Sequence, residues 1–368
     1  MSNPSKMKNI HITCPINKLS YGYTSYYLIK ELLKLRNNIF FYNIGPVDND
    51  LAKDVVSIHF LNKHVDIFAK HQPYDTVSLK IWHQNEVHGM PVRGHHYGFP
   101  IFELDKFNEI EKASLKLCDE LITCSKWGAK VIKEQTGKDC HVVPLGIDDE
   151  IFKPCGPSTL KNTIFFNCGK WEIRKGHDIL IECFNKAFNE SDNVELWLMC
   201  DNIFLQDGGK SWIDLCRKSK LSSKIRLIPR QNDHADVYRI MSKTDVGVFP
   251  SHAEGWNLEL LELMAIGKHV IATDYSAHTE YCTSENSSLL NIDSLESAYD
   301  GIWFHNNGRW AEIKDETKDQ MILYMRMHHK NKQDGLLGIN SKGIETGKQY
   351  TWANSAKILS DLLNNDDI

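Results

Sequence analysis

From Asn9 onward, short runs of strand-forming residues alternate with stretches of helical periodicity, and the whole pattern is played twice. "NIHITC", "NIFFYNI", "VSLKIWH", "ELITCS" and "CHVVPLG" are separated by "YTSYYLIKELLKL", "FNEIEKASLKLC" and "WGAKVIKEQT". Such alternation is the signature of a parallel sheet with crossover helices. It pauses at "LGIDDEIFKPCGPSTLKN", where Gly146, Pro154, Gly156 and Pro157 interrupt any periodicity. It then restarts with "TIFFNC", "HDILIECFNKAF", "VELWLMC", "KIRLIPR", "VGVFPS" and "KHVIAT". The expected fold class is therefore α/β, with two Rossmann-like parallel-sheet domains, 1–155 and 156–350. A last helix-like run, "TWANSAKILSDLL" within about 351–368, is expected to pack back on the first half. A chain of 368 residues suits two such domains.

Composition narrows the function classes. Hydrophobic residues make up 42% and charged residues 25%, as in globular proteins, and no window approaches the ~18 unbroken apolar residues of a membrane span. The start, "MSNPSKMKNIHITCPI", is broken by His11, Thr13, Cys14 and Pro15 before a signal-peptide core forms, so a soluble, cytoplasmic protein is expected. Ten cysteines run from Cys14 to Cys282 without a C-x-x-C pair, which points to buried free thiols rather than a zinc site or disulfides. A net charge of -5 argues against an obligate nucleic-acid binder. The basic run "RMHHKNK", 326–332, reads as an exposed helix end.

No G-x-G-x-x-G follows the first strand, no P-loop occurs, and "GINSKG" misplaces the serine of a hydrolase elbow. "DND" at 48–50 could be read as a metal-binding D-x-D, but a turn with a helix cap is the plainer reading. In "WHQNEVHGMPVRGHH", His88, His95 and His96 read as polar loop residues, since their spacing fits no metal motif. His83 directly follows "VSLKIW", at the carboxyl end of a parallel strand, where open α/β sheets place ligands; function and structure are equally good explanations of it.

Two turns suit an anion. "FFNCGKWEIRKGHD" runs from strand through Gly169 to Lys170, Arg174 and Lys175 before a helix, and a glycine turn opening a helix N-terminus favours phosphate. "VFPSHAEGWNLELLELMAIG" ends a strand at Pro250 and opens a helix that Asn257 can cap. That places Glu254 in the loop and Glu262 in the helix. On a regular helix an offset of eight leaves residues about 80° apart, so only the loop brings both acids toward one place. Glu259 and Glu262 could form a solvated stripe, but the leucines around them leave little wet face.

"PSHAEGWNLELLELMAIGKHVIAT" resembles the signature segment of glycosyltransferase family four, retaining enzymes of the GT-B fold in which two Rossmann-like domains face a cleft. "GKWEIRKG" resembles that family's phosphate loop, and "VVPLGIDDEIF" and "YRIMSKTDVGVFPS" resemble its linker approach and the lead into the signature. The likeness covers most of residues 80 to 282. It departs at Lys170 (arginine in the family), at Trp256 and Asn257 (Phe-Gly), at His269 (proline) and at Ser276-Ala277 (a glycine pair). The resemblance implies a metal-independent, retaining transfer from a nucleotide-diphosphate sugar, a UDP-sugar by expectation, with no other cofactor. Glu262 would accept from the ribose hydroxyls and Glu254 would face the donor sugar. Lys170 and Lys175 would neutralise the diphosphate, with Arg174 and the turns at Gly22, Gly169, Gly255, Trp256, Asn257 and Leu258 completing the donor site and His83 touching the sugar. Lysine at 170 gives up the two-pronged grip of arginine.

On the acceptor side, "LSYGYTSYYL" supplies Tyr21, Tyr23 and Tyr26, with Tyr27 beside them, as stacking candidates, half of which would serve simply as core. The acceptor is expected to be a saccharide, lipid or protein. "GHHYGFPIFELDKFN" and "EGWNL" also resemble phage-type members of the family, for which a hydroxymethylated pyrimidine in DNA is the alternative acceptor and the host cytoplasm the location. A non-catalytic nucleotide-sugar-binding protein is the reading from a different class.

Overall fold

The computed structural model describes residues 9–35, 38–52, 76–90 and 94–365. The lysines of the N-terminal "MSNPSKMK", Pro91–Arg93 of the histidine-rich loop and residues 366–368 of the expected last helix lie outside the described residues. The chain divides into two compact units: Met1–Phe102 with Lys106–Gly146 and Tyr350–Ile368, and Ile147–Gln349 with Glu103–Asp105.

In the first unit, β1 (Asn9–Cys14), β2 (Asn38–Asn43), β3 (Val77–Ile81), β4 (His95–Phe99), β5 (Glu120–Thr123) and β6 (His141–Val142) form one sheet, in the order β2-β1-β3-β4-β5-β6. Every pairing in it is parallel. Ile10, Ile12, Leu79 and Phe99 are fully buried, as strands covered on both faces require. The helices are set by local chemistry. Asn108 and Glu111 close a capping box at the start of Glu109–Leu117, while Ser125 caps Lys126–Thr136, which ends on the left-handed Gly137.

β4 corrects the loop reading of His95 and His96. Both lie in an inner strand, where His95 packs edge-on against Tyr97 and His96 Nδ1 bonds Ser78 Oγ. Two adjacent polar residues opening a strand carry no apolar periodicity, so the sequence hid it. Asp48 Oδ1 accepts from the amides of Asp50 and Leu51, so "DND" is a helix cap. The last helix, Trp352–Asn365, packs on Ser20–Lys34, and the Trp352 ring stacks on Tyr27 at 5.3 Å. Gly146 permits this: a Cβ there would lie 2.2 Å from the Trp352 amide nitrogen.

In the second unit, β7 (Thr163–Gly169), β8 (Val194–Cys200), β9 (Ile225–Leu227), β10 (Val246–Phe249), β11 (His269–Thr273) and β12 (Ser288–Leu290) form a second parallel sheet, ordered β12-β11-β10-β7-β8-β9. Helix His177–Ala187 buries Ile179, Leu180, Cys183 and Phe184 against Phe165, Leu196 and Val248. Each such side chain contributes roughly 1.5–3 kcal/mol. The run "RMHHKNK" is tied down rather than left to solvent: His328 bonds Ser288, His329 bonds Thr163, and Lys332 pairs with the buried Asp245 at 2.5 Å. A separate antiparallel hairpin of β13 (Leu295–Tyr299) and β14 (His305–Ala311) follows, with a bulge between Ser297 and Tyr299 that breaks its alternation.

All ten cysteines are free thiols. Among the described residues no helix is long and apolar enough to cross a membrane.

Candidate active site

β7 and β10 are neighbours in the second sheet, so the turns that follow them lie side by side. The His252 amide donates to the Arg174 carbonyl at 2.7 Å, and Arg174 Nη1 donates to the Ala253 carbonyl at 2.7 Å. Gly176, at φ 67°, brings the start of helix His177–Ala187 against Pro250, where a Cβ would meet the Pro250 oxygen at 2.2 Å. Gly169 ends β7 at φ 150° with its open side against the Lys175 side chain. Two segments far apart in sequence thus become one surface.

Glu254 is the hub of that surface. Its carboxylate accepts from Arg174 Nη1 at 2.8 Å, from Lys175 Nζ at 2.8 Å and from Ser251 Oγ at 2.8 Å, and all three charged groups are buried. Burial alone would raise the Glu254 carboxyl, but Lys175 and Arg174 outweigh it and hold it below the ordinary range. Burial would likewise lower Lys175, and Glu254 and Glu259 more than reverse it, so the ammonium is held charged. Arg174 spans further to Glu172 at 2.7 Å and toward the half-buried Glu103 at 3.8 Å, while its Nε, also buried, makes no hydrogen bond among the described residues. Lys170 stands at the rim, 3.9 Å from Glu172 and over the Phe204 ring.

The loop between Glu254 and the helix is held by the residues that depart from the resembled pattern. Asn257 has φ 79° and Ser276 φ 54°, conformations in which glycine is the usual occupant. Asparagine is among the side chains that tolerate it, and here the side chain is used twice. Asn257 Oδ1 accepts from the Leu260 amide, capping helix Leu258–Ala265, and Nδ2 lies 3.0 Å from His278 Nε2. His278 Nδ1 lies 3.1 Å from the Thr273 carbonyl oxygen, which fixes the Nδ1-protonated neutral ring; burial lowers its pKa to about 4. Ser276 Oγ accepts from the Glu254 amide at 2.8 Å. Trp256 is buried against Tyr281, whose hydroxyl donates to the carbonyls of Trp256 and Asn257.

Glu262 differs in kind. It is 6% exposed, and no side chain or amide among the described residues donates to its carboxylate. Burial, with Glu259 and Asp148 nearby, pushes its carboxyl well up. Paired hydroxyls of a ligand would fill that acceptor capacity. The solvated-stripe reading of Glu262 therefore does not hold.

The other expected residues fall in the first unit. Gly22 lies in the first turn of helix Ser20–Lys34, so close to Asn17 that a Cβ would come within 2.4 Å of its amide nitrogen. His83 is exposed two residues past β3, edge-on to Tyr21 at 4.8 Å. The Tyr21 hydroxyl donates to the Ile101 carbonyl at 2.6 Å. Tyr26 is buried against Tyr27, and Tyr23 is half-buried beside it. Sequence reasoning passed over Glu172, Glu103 and His278, and met Ser276 only as a departure from a glycine pair. Glu172 alone had a local signal, lying between the cations of "GKWEIRKG"; Glu103 comes from a distant segment and had none.

Residues 162–302 match the sequence model of the family described as "Glycosyl transferases group 1". An N,N'-diacetylbacillosaminyl-diphospho-undecaprenol alpha-1,3-N-acetylgalactosaminyltransferase of Campylobacter jejuni is 22% identical over 202 residues, 53% of this chain and 50% of that protein. An uncharacterized glycosyltransferase of Bacillus subtilis is 20% identical over 60% of each chain. The chain thus spans only about half to three-fifths of the length of these curated relatives. Among solved structures, sucrose-phosphate synthase from Thermosynechococcus elongatus superimposes with a TM-score of 0.69 at 14% identity, covering 96% of this chain and 98% of the other. Anabaena HepE in complex with UDP and glucose does so with a TM-score of 0.69 at 12% identity, covering 98% and 100%. The segment that builds the charged site is the one the group 1 glycosyltransferase model matches, and the chain that carries it has the GT-B fold.

Proposed function

We propose that this protein is a retaining, metal-independent glycosyltransferase that moves a hexosyl or pentosyl group from a nucleotide-diphosphate sugar, a UDP-sugar, to an acceptor hydroxyl. The observation that carries the reading is the joining of two complementary features on one surface. Lys175 and Arg174 are held charged beside the Gly169 turn, and one helix further on Glu262 is a buried carboxylate with unfilled acceptor capacity. The first suits a diphosphate and the second suits vicinal ribose hydroxyls. The solved HepE complex holds UDP and glucose, which supports the choice of donor.

On this reading the bond between the anomeric carbon and the β-phosphate oxygen breaks as the acceptor oxygen bonds that carbon from the same face. The acceptor proton passes to the leaving phosphate. Negative charge grows on the diphosphate, and Lys175 has three donors, enough to keep Glu254 and still reach a phosphate oxygen. Glu254 acts by holding both cations in place and by facing the donor sugar; no side chain is assigned as nucleophile. The acceptor is proposed to be a saccharide hydroxyl. The names of the Campylobacter jejuni relative and of the solved lipopolysaccharide outer core galactosyltransferase WaaB describe such chemistry in those proteins. Hydroxymethylated DNA is the second acceptor, on the phage-type resemblance.

The test incubates the protein with a panel of UDP-sugars, in EDTA, with and without oligosaccharides or hydroxymethylated DNA. UDP release accelerated by one acceptor class, with the α-anomer retained in the product by NMR, is expected. Binding of UDP-sugar with no UDP release under any condition would instead establish a non-catalytic binder. Alanine substitutions at His83, Tyr21 and Tyr23 read out the first-unit roles in the same assay.

A further inference from the structure

The hairpin β13–β14 is built onto the charged site. Its far strand is stapled to the loop before Glu254: the Ala311 amide donates to the His252 carbonyl at 2.8 Å, and His252 Nδ1 lies 2.7 Å from the Ala311 carbonyl oxygen. Trp310 and Ala298 pack on Ala253, with Leu104 against them. Its tip is rigid. Asp300 Oδ1 accepts from the amides of Ile302, Trp303 and Phe304 at 2.7 to 2.9 Å, and the turn is closed by the Asp300 amide on the Phe304 carbonyl.

That tip presents apolar groups to solvent. Tyr299, Ile302 and Trp303 are 50–57% exposed, and Phe204, 47% exposed, meets the Trp303 ring edge-on at 5.8 Å. The Trp303 indole N–H and the Tyr299 hydroxyl have no hydrogen-bond partner among the described residues. The cluster is continuous with the site: Lys170 Nζ lies 5.4 Å from the Phe204 ring centre and 3.9 Å from Glu172, which pairs with Arg174.

We propose that Trp303, Phe204 and Tyr299 form an aromatic platform for the acceptor, and that the acceptor is a neutral saccharide. The proposal rests on the glycosyltransferase reading above. Half-exposed rings with unfilled polar tips match a sugar, which offers a C–H face for stacking and hydroxyls for the edge donors. Charge excludes the competing occupants. The segments 200–207 and 295–309 carry Asp201, Asp207, Glu296 and Asp300 against Arg309, which is itself paired with Asp105, and Lys170, over the Phe204 ring, lies 3.9 Å from Glu172. A nucleic acid or an anionic membrane would call for the opposite balance.

The experiment uses Trp303→Ala, Phe204→Ala and the double variant of the full chain. The acceptor KM is expected to rise tenfold or more in the double variant, with donor KM and acceptor-free UDP release within twofold of wild type. An unchanged acceptor KM overturns the proposal. So does loss of binding to phosphatidylglycerol vesicles or to single-stranded DNA in the double variant without a change in that KM. If wild type transfers to no acceptor, the glycosyltransferase reading fails, and the platform is judged alone by titrating intrinsic tryptophan fluorescence with maltohexaose and chitohexaose. A saturable change absent in Trp303→Ala supports the platform; no wild-type response to either sugar overturns it.

Discussion

Glu254 and Glu262 are buried carboxylates within the nine residues 254–262, yet three side chains hold the first and none among the described residues donates to the second. The contrast separates two kinds of site acid. Glu254 belongs to a charge network completed within the protein, so its loss frees two buried cations. Glu262 belongs to a network that a ligand completes, so its loss should cost the protein nothing until the ligand arrives.

The largest effect that would break this contrast is in Glu254→Ala. Breaking a buried pair costs about 3–5 kcal/mol, read as a fall in the urea midpoint, and UDP release should fall below detection. Lys175→Ala should lower kcat by about a hundredfold to a thousandfold through lost stabilisation of the leaving diphosphate. Near-wild-type turnover in either variant would remove the role assigned to the cluster.

Next comes Glu262→Gln. It should raise stability at neutral pH, because the carboxyl is raised above its ordinary 4.5 in the folded protein and its ionisation therefore opposes folding. Donor affinity should fall by about tenfold to a hundredfold, the worth of a charged hydrogen bond. The two acids also give opposite pH signatures. The Glu254 contribution is present above the ordinary carboxylate range and is lost as pH falls through its depressed value. The Glu262 contribution is present below about 4.5 and is lost as pH rises through its raised value. Urea unfolding of the two variants should show the wild-type slope altered below about pH 4.5 in the Glu254 variant and above about pH 4.5 in the Glu262 variant, with opposite sign.

A smaller effect tests the loop that links the two acids. Asn257→Gly keeps the backbone conformation but loses the cap, worth roughly a few tenths of a kcal/mol against glycine, and the His278 hydrogen bond, worth about 1 kcal/mol. Asn257→Ala adds the left-handed strain of roughly 1–2 kcal/mol. Equal losses in the two would show that backbone strain is not what asparagine relieves. The smallest effect is expected at the half-buried Lys170, where arginine should lower donor KM by about twofold to fivefold through a two-pronged grip.

The α/β class, the restart after the Gly-Pro pause and ten of the parallel strands were legible because buried strands and crossover helices write apolar runs of fixed period into the chain. The anion turn at Gly169–Lys175 was legible too, since glycine and cations cluster locally there. β4 was not, because it opens on two adjacent histidines, His96 bonded to Ser78 of β3 and His95 packed on Tyr97 of β4 itself, and these write no apolar alternation. Nor was the β13–β14 hairpin, whose bulge and polar strands erase alternation.

The sequence by itself determined which segments become strands and helices, where the chain pauses, and that Glu254 lies in a loop and Glu262 in a helix. These are local consequences of periodicity, capping and turn chemistry. Only the tertiary structure decided that β7 lies beside β10, and with it that Arg174 and Lys175 meet Glu254 across some eighty residues of chain. Strand order has no local signal, because any two apolar strands can pair. It is chosen by the packing of the whole sheet, and the ionisation of both acids follows from that choice.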